Sequence, residues 1–270
     1  MRDAGSTSPN LTSDSALVVD RVTKVFDGRQ GRVTVFDGLS LAVRAGEFLG
    51  VIGPTGCGKT TLLNMLAGLD RPTEGAVRFH DEIVTEPSPA RGVVFQQYAL
   101  FPWLTVAGNV EFGLKVGRVP GAERKRIVAH YLEMMHLSAV SNAYPKELSG
   151  GMKQRVSLAR AYATQPEVLL MDEPFGALDA QTKRTLQLEL LRSWAEQHVT
   201  IVFITHDIEE AILVAQRILL LGGDPAHIVR EFDVPLAYPR SVESMADPAF
   251  TALREELWTE LGHVSHSGSQ

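Results

Sequence analysis

Residues 53–60 read Gly-Pro-Thr-Gly-Cys-Gly-Lys-Thr, a complete G-x-x-x-x-G-K-[ST] element, and nothing else in the 270-residue chain restricts its fold so tightly. Gly53, Gly56 and Gly58 let the backbone curl so that successive N–H groups point inward, a concavity suited to phosphate oxygens. The apolar run Phe48–Ile52 leads into the loop. A helix predicted over Thr60–Leu69, with Leu62, Leu63, Leu66 and Leu69 on its apolar side, leads out of it. That order sets the positive end of a helix against the loop. Lys59 is then placed to reach β- and γ-phosphates, and the Thr60 hydroxyl to ligate Mg²⁺. A plain glycine turn is the competing reading, and the strand-loop-helix context argues against it.

Upstream, strands are predicted at Ala16–Val25 and near Val33–Phe36, with a glycine-rich turn at Asp27–Gly31 between them. Leu39–Val43 alternates apolar and polar residues before a turn at Ala45–Glu47, and a further strand follows at Ala76–Phe79. From Tyr98 to Thr164 the pattern is helical. Met152, Val156, Ala159 and Ala163 draw one stripe down a helix. Apolar runs return at Val168–Met171, Ile201–Ile204 and Ile218–Leu221, with a helix from Gln181 to His198 between the first two. Short apolar runs alternating with helices predict an α/β fold around a parallel sheet, interrupted by a helical insertion.

Val168–Met171 runs directly into Asp172-Glu173-Pro174. The C-terminal end of a buried parallel strand is where α/β folds bind ligands. Asp172 there would hold Mg²⁺ through its water shell, since that ion prefers one or two carboxylates plus phosphates. Glu173 would polarise the attacking water as general base. A structural ion pair is the alternative for both. Cys57 lies inside the loop with no motif-linked base, so it is expected to fill space rather than to act as a nucleophile.

The composition is 44% hydrophobic and 21% charged with a formal net charge of −6, which gives no electrostatic reason to expect nucleic acid as a partner. No apolar run approaches the roughly 18 residues that span a bilayer. The single cysteine excludes an internal disulfide. The stretch 1–15 is rich in Ser and Thr and lacks the apolar core of a signal peptide, so it is expected to be a disordered leader in a cytoplasmic chain.

Leu148-Ser149-Gly150-Gly151-Met152-Lys153-Gln154-Arg155 resembles the signature of the ABC family, L-S-G-G-Q-[RK]-Q-R, with methionine in place of the usual glutamine. It lies between the glycine loop and the Asp172-Glu173 pair, in the family's order, and the resemblance covers about Ala16 to Leu261. It implies a P-loop NTPase core of ABC type with an N-terminal antiparallel β subdomain and an inserted α-helical subdomain at about 98–164. The core is expected over 16–225, a short extension over 226–262 and a disordered tail over 263–270.

The same resemblance assigns single positions. ATP would contact Gly53, Pro54, Thr55, Gly56, Cys57, Gly58, Lys59, Thr60 and Thr61. Gln96, in Val94-Phe95-Gln96, matches the glutamine that contacts Mg²⁺ and signals to the permease. Asp179, in Gly176-Ala177-Leu178-Asp179, matches the aspartate at the dimer interface. His206, in Thr205-His206-Asp207, matches the switch histidine that touches the γ-phosphate. Phe26 is similar to the aromatic that stacks on adenine, with Phe36 as its competitor. In the family two such chains pack head to tail, each ATP lying between the loop of one copy and Ser149, Gly150 and Gly151 of the other. Those three residues open a helix, so their N–H groups and its dipole can face a γ-phosphate.

The resemblance implies an ATP-hydrolysing subunit at the cytoplasmic face of the cell membrane. Its expected partners are a second copy, separate permease subunits and, indirectly, an extracytoplasmic solute-binding protein. Leu100–Val106, Met152, Pro174–Asp179 and the Pro235-Leu236, Pro239-Arg240 and Leu253–Leu261 segments look like the nitrate, sulfonate and taurine importer branch. Tyr98–Trp103 would line the groove for a permease helix, with core packing of Phe101 and Trp103 as the alternative. A soluble ABC ATPase acting on nucleic acid or ribosomes is the competing function. It usually carries two cores or a long insertion, and this sequence has neither. A binding module without catalysis is opposed by Lys59, Asp172, Glu173 and His206.

Overall fold

The computed structural model describes residues 14–28 and 31–267. Two long strands, β1 (Ser15–Gly28) and β2 (Gly31–Arg44), pair antiparallel along their length. β3 (Phe48–Ile52) follows, then the glycine loop and α1 (Lys59–Ala67). β4 (Glu74–Phe79) pairs with β1, and β5 (Glu82–Ile83) with β4, completing a four-stranded antiparallel sheet in the order β2-β1-β4-β5.

β6 (Arg91–Val94) opens the next segment, which continues into three helices, α2 (Val106–Val116), α3 (Gly121–Met134) and α4 (Gly150–Ala163). The chain then returns to the sheet with β7 (Val168–Asp172), α5 (Ala180–Gln197), β8 (Thr200–Ile204), α6 (Ile208–Val214), β9 (Arg217–Gly222) and β10 (His227–Asp233), and the last described element is α7 (Pro248–Ser267). The second sheet has the order β10-β9-β3-β8-β7-β6, parallel throughout except for β10 at one edge.

The parallel strands read as continuous apolar runs because both of their faces are covered. In β3, Leu49 and Val51 pack with α1 and the antiparallel sheet. Phe48 and Ile52 face the other way, into a larger core with residues of α2 to α7. β7 and β8 divide alike: Leu170 and Val202 go to the first core, Leu169, Met171, Ile201 and Phe203 to the second. The parallel sheet is thus a shared wall between two cores. Its strands β3, β6, β7 and β8 all deliver their C-terminal ends to one side, as a parallel sheet must.

Several sequence expectations change. Val33–Phe36 and Leu39–Val43 belong to one strand, β2, rather than two. The four-residue β6 and the exposed edge strand β10 are additional strands, and α6 an additional helix. The segment expected as an extension, 226–262, begins inside the central sheet, since β10 pairs with β9. Within it Arg240 is 5% exposed, and its guanidinium donates to the carbonyls of Ile212, Leu213 and Ala215, closing the C-terminus of α6. α7 runs beyond the predicted Leu253–Leu261 to Ser267, so 263–267 of the expected tail are helical, while 268–270 lie outside the described residues. Of the leader predicted over 1–15, residues 1–13 lie outside the described residues, and Ser15 already belongs to β1.

Candidate functional site

β3 ends at Ile52, and the loop 53–58 turns its backbone back toward α1. Two positions there accept only glycine. A Cβ on Gly53, at φ 159°, would lie 2.4 Å from the Leu221 carbonyl oxygen, and one on Gly58, at φ 89°, 2.5 Å from Val35 and 2.8 Å from the Phe36 ring. Lys59 is folded back over the loop, its Nζ donating to the Gly53 and Pro54 carbonyls at 2.8 Å each. Its charge is thereby fixed at the mouth of the concavity.

β7 brings the carboxylates to the same place. Thr60 Oγ1 donates to Asp172 Oδ2 at 2.9 Å, so the first turn of α1 and the end of β7 meet through these two oxygens. Burial pushes the Asp172 carboxyl above its usual range, and the neighbouring Glu173 charge adds to the rise, against the Thr60 hydrogen bond and Lys59. A cation at this point would relieve it. Among the described residues no three His, Cys, Asp or Glu side chains group as a metal cage. One carboxylate and one hydroxyl suit a hard ion that takes its remaining ligands from phosphates and water, which is the habit of Mg²⁺.

Glu173 follows in the left-handed region, at φ 43°, an unusual conformation for a glutamate and one found at functional sites. Its N–H donates to the Ile204 carbonyl at the end of β8. One carboxylate oxygen, Oε2, accepts from Gln96 Nε2 at 3.1 Å, and the other, Oε1, lies 3.2 Å from His206 Nδ1. Gln96 stands two residues past β6 and His206 two past β8, so three parallel strands present their ends to one carboxylate. A cavity of about 250 Å³ is lined by Thr55, Gly56, Gly58, Lys59, Thr60, Thr61, Asp172 and Glu173.

A neighbouring cavity of about 400 Å³ shares Thr55 and Gly56 and extends along Val33–Val35, Pro54 and Cys57 to Gly223, Asp224 and Val264. Cys57 is buried at its wall, and burial raises the thiol's pKa, the opposite of what a thiolate nucleophile needs. The two candidate aromatics separate clearly. Phe36 is 0% exposed and packs against Gly58. Phe26 is 42% exposed, pairs across the hairpin with Val33, and carries Lys24 Nζ 4.5 Å from its ring centre. Of the two, only Phe26 offers a face to a ligand.

Ser149, Gly150 and Gly151 line neither cavity. Ser149 caps α4, its Oγ accepting the Met152 N–H at 3.3 Å, and Ser149 and Gly150 are exposed. Asp179 caps α5 in the same manner, accepting the Thr182 N–H at 3.0 Å, which holds its carboxyl below the usual range. α4 and α5 thus start side by side, with Gly151 facing Thr182. Sequence reasoning did not find the group behind the site. Lys183, Gln187, Thr205, Asp207 and Glu210 form a polar lattice between α5 and α6, and no linear motif announces it.

The aromatic segment divides too. Phe101 is half-buried, with its ring centre 4.4 Å from that of Phe112, whereas Trp103 is 70% exposed. Phe112 and Val116 on α2 are also exposed.

The sequence profile of the ABC transporter family matches residues 36–176. The chain is 44% identical to each of two Synechocystis sp. proteins. One is a nitrate import ATP-binding protein, with 88% of this chain and 89% of that protein covered over 239 residues. The other is a bicarbonate transport ATP-binding protein, with 92% and 90% covered over 253 residues. A solved dimeric ATP-binding cassette in a post-hydrolysis state, bound to ADP and Pi, is 33% identical with a TM-score of 0.72, covering 82% of this chain and 100% of that one.

Proposed function

Because this chain belongs to the ABC transporter family and is an ATP-hydrolysing member of it, we propose that it drives the import of a small anion through a separate permease. The observation that carries the reading is the cavity lined by Lys59, Thr60, Asp172 and Glu173, with Gln96 and His206 each on one oxygen of the Glu173 carboxylate. In this reading the triphosphate lies along the loop 53–61, with backbone N–H groups and the N-terminus of α1 facing its oxygens. Lys59 exchanges its two carbonyl contacts for β- and γ-phosphate oxygens. Thr60 and Asp172 hold Mg²⁺, with Gln96 nearby, and the ion supplies charge neutralisation on the phosphates.

Glu173 accepts a proton from the attacking water as that water approaches the γ-phosphorus. Its two oxygens are already oriented by Gln96 and His206, so little reorganisation remains to be done. His206 also faces the γ-phosphate, and Phe26 stacks on adenine. Cys57 fills space beneath the loop.

One chain offers only half of such a site. The exposed N-terminus of α4 is an anion-binding end with no anion of its own chain to bind. We assign Ser149, Gly150 and Gly151 to the γ-phosphate held by a second, head-to-tail copy, with Asp179 at that interface. The solved cassette of the same fold is dimeric, which supports this pairing. Residues 16–225 are the proposed ATPase core, with the helical insertion at about 98–164, and 226–262 the proposed extension, whose first strand, β10, joins the core's own sheet. The exposed Trp103, Phe112 and Val116 are proposed to receive a cytoplasmic helix of the permease. Among the described residues no helix is long and apolar enough to cross a membrane. The chain is then held at the cytoplasmic face by its permease, and an extracytoplasmic binding protein delivers the solute.

The cargo is proposed from the relatives named for nitrate and bicarbonate, together with the segments that resemble the nitrate, sulfonate and taurine branch. Uptake of labelled nitrate, bicarbonate and an alkanesulfonate, measured in source cells carrying wild-type or Glu173→Gln protein, tests this. Loss of uptake for one of these anions identifies the cargo. Normal uptake of all three, with the variant protein present, rejects the anion reading.

A further inference from the structure

His206 sits in a three-residue link, Thr205-His206-Asp207, between the end of β8 and the start of α6. Its side chain is 62% exposed and, among the described residues, has one polar partner, the Glu173 carboxylate. What fixes the imidazole must therefore act through the backbone of the link.

Both neighbours of His206 are fixed, and by the same residue. The Asp207 N–H donates to Thr205 Oγ1 at 3.1 Å, and the Thr205 hydroxyl is hydrogen-bonded to Glu210 Oε2. The Glu210 N–H donates back to Asp207 Oδ1 at 3.1 Å. In an ordinary capping box the acidic side chain at the third helical position takes the N-cap N–H directly. Here a threonine hydroxyl is inserted as a relay, so the ring closes one residue further upstream and encloses His206.

The remaining contacts anchor this ring to α5. Glu210 Oε1 accepts from Gln187 Nε2 at 2.8 Å and lies 3.9 Å from Lys183 Nζ, which donates to Asp207 Oδ2 at 3.1 Å. Glu210 is 4% exposed. Burying a carboxylate is costly, and apolar packing between two helices generally serves stability as well or better. Capping α6 requires only Asp207. What the carboxylate adds is its hold on Thr205.

We propose that Glu210, acting through Thr205, is a positioning residue for His206, setting the imidazole where it meets Glu173 and the γ-phosphate. The inference rests on the role given to His206 above. ATP turnover of the purified full chain tests it, with Glu210→Gln, Thr205→Val, His206→Ala and the two doubles that include His206→Ala. Glu210→Gln and Thr205→Val are each expected to lower kcat about tenfold or more while KM for ATP stays within about threefold. Added to His206→Ala, either is expected to cost no more than about a further twofold, because the residue it acts through is gone.

A melting temperature that falls while kcat holds would show a structural fastening only and overturn the inference. So would the same fold-loss in the His206→Ala background as in wild type. Thr205→Val carries the test alone if Glu210→Gln does not fold. An inactive His206→Ala beside fully active Glu210→Gln and Thr205→Val rejects this inference and leaves the reading of His206 standing. A fully active His206→Ala rejects both.

Discussion

The two faces of this chain that would meet ATP are built on opposite plans. At the phosphate loop the charged and polar side chains find partners within the chain: Lys59 on two carbonyls, Thr60 on Asp172, Glu173 between Gln96 and His206. At the start of α4, Ser149 satisfies one N–H of its own helix, and Ser149 and Gly150 stand in solvent. The first face is preorganised by four strand ends of one parallel sheet. The second is a bare helix end. Preorganised groups can do chemistry and a helix end can receive an anion, so the contrast matches the proposed division between catalysis at one face and capture at the other.

Glu173→Gln gives the largest expected effect, since it removes the proposed proton acceptor from the preorganised face. Turnover should fall about 10²–10⁴-fold with ATP affinity retained, as steady-state and binding measurements would show. Unchanged turnover removes Glu173 from the mechanism. On the other face Ser149→Asp keeps a capping oxygen for α4 but sets a negative charge where a γ-phosphate is proposed to arrive. ATP binding to the lone chain should be untouched while turnover drops by about 10²-fold, the size of losing one preorganised donor. Equal losses of binding and turnover would mean that Ser149 contacts the chain's own nucleotide.

Phe26→Ala should weaken ATP binding by about 1–2 kcal/mol, roughly 5- to 30-fold, as the loss of one base-stacking ring does. Phe36→Leu should instead lower the melting temperature and leave affinity nearly unchanged, because that ring is core. A reversal of the two results would reassign the adenine contact. The smallest effect is on stability and concerns the burial of Asp172. Burial raises its pKa in the folded chain, so the folded state binds the proton more tightly than the unfolded one. Nucleotide-free stability is then lost as pH rises from the ordinary carboxylate range through the raised value. Asp172→Asn should raise the melting temperature of the nucleotide-free chain at pH 7 by a few degrees at most. A lower melting temperature would contradict the burial argument.

What could be read from the sequence follows the same division. The phosphate loop and Asp172-Glu173 were legible because their residues are contiguous and the strands leading into them are wholly apolar. β6 was not legible as a strand, since Arg91–Val94 is four residues with little periodicity to display. β10 was missed because an exposed edge strand reads His-Ile-Val-Arg-Glu-Phe-Asp, more polar than a core strand. The choice between Phe26 and Phe36 needed the packing of Gly58 against β2. The lattice around Glu210 was invisible because it depends on how α5 and α6 face one another, with Gln187 and Glu210 separated by 23 positions. Met152, which replaces the usual glutamine of the signature, is half-buried against the larger core, and the structure gives no further reason for it.

In the proposed function one chain carries only half of each site, and ATP joins two copies. Light scattering of Glu173→Gln, with saturating ATP and without it, measures this most directly. The molar mass should double when ATP is added, and the same chain carrying Ser149→Asp as well should bind ATP but keep the monomer mass. ATP bound to a Glu173→Gln chain that stays monomeric at micromolar concentration would contradict a site shared between two copies.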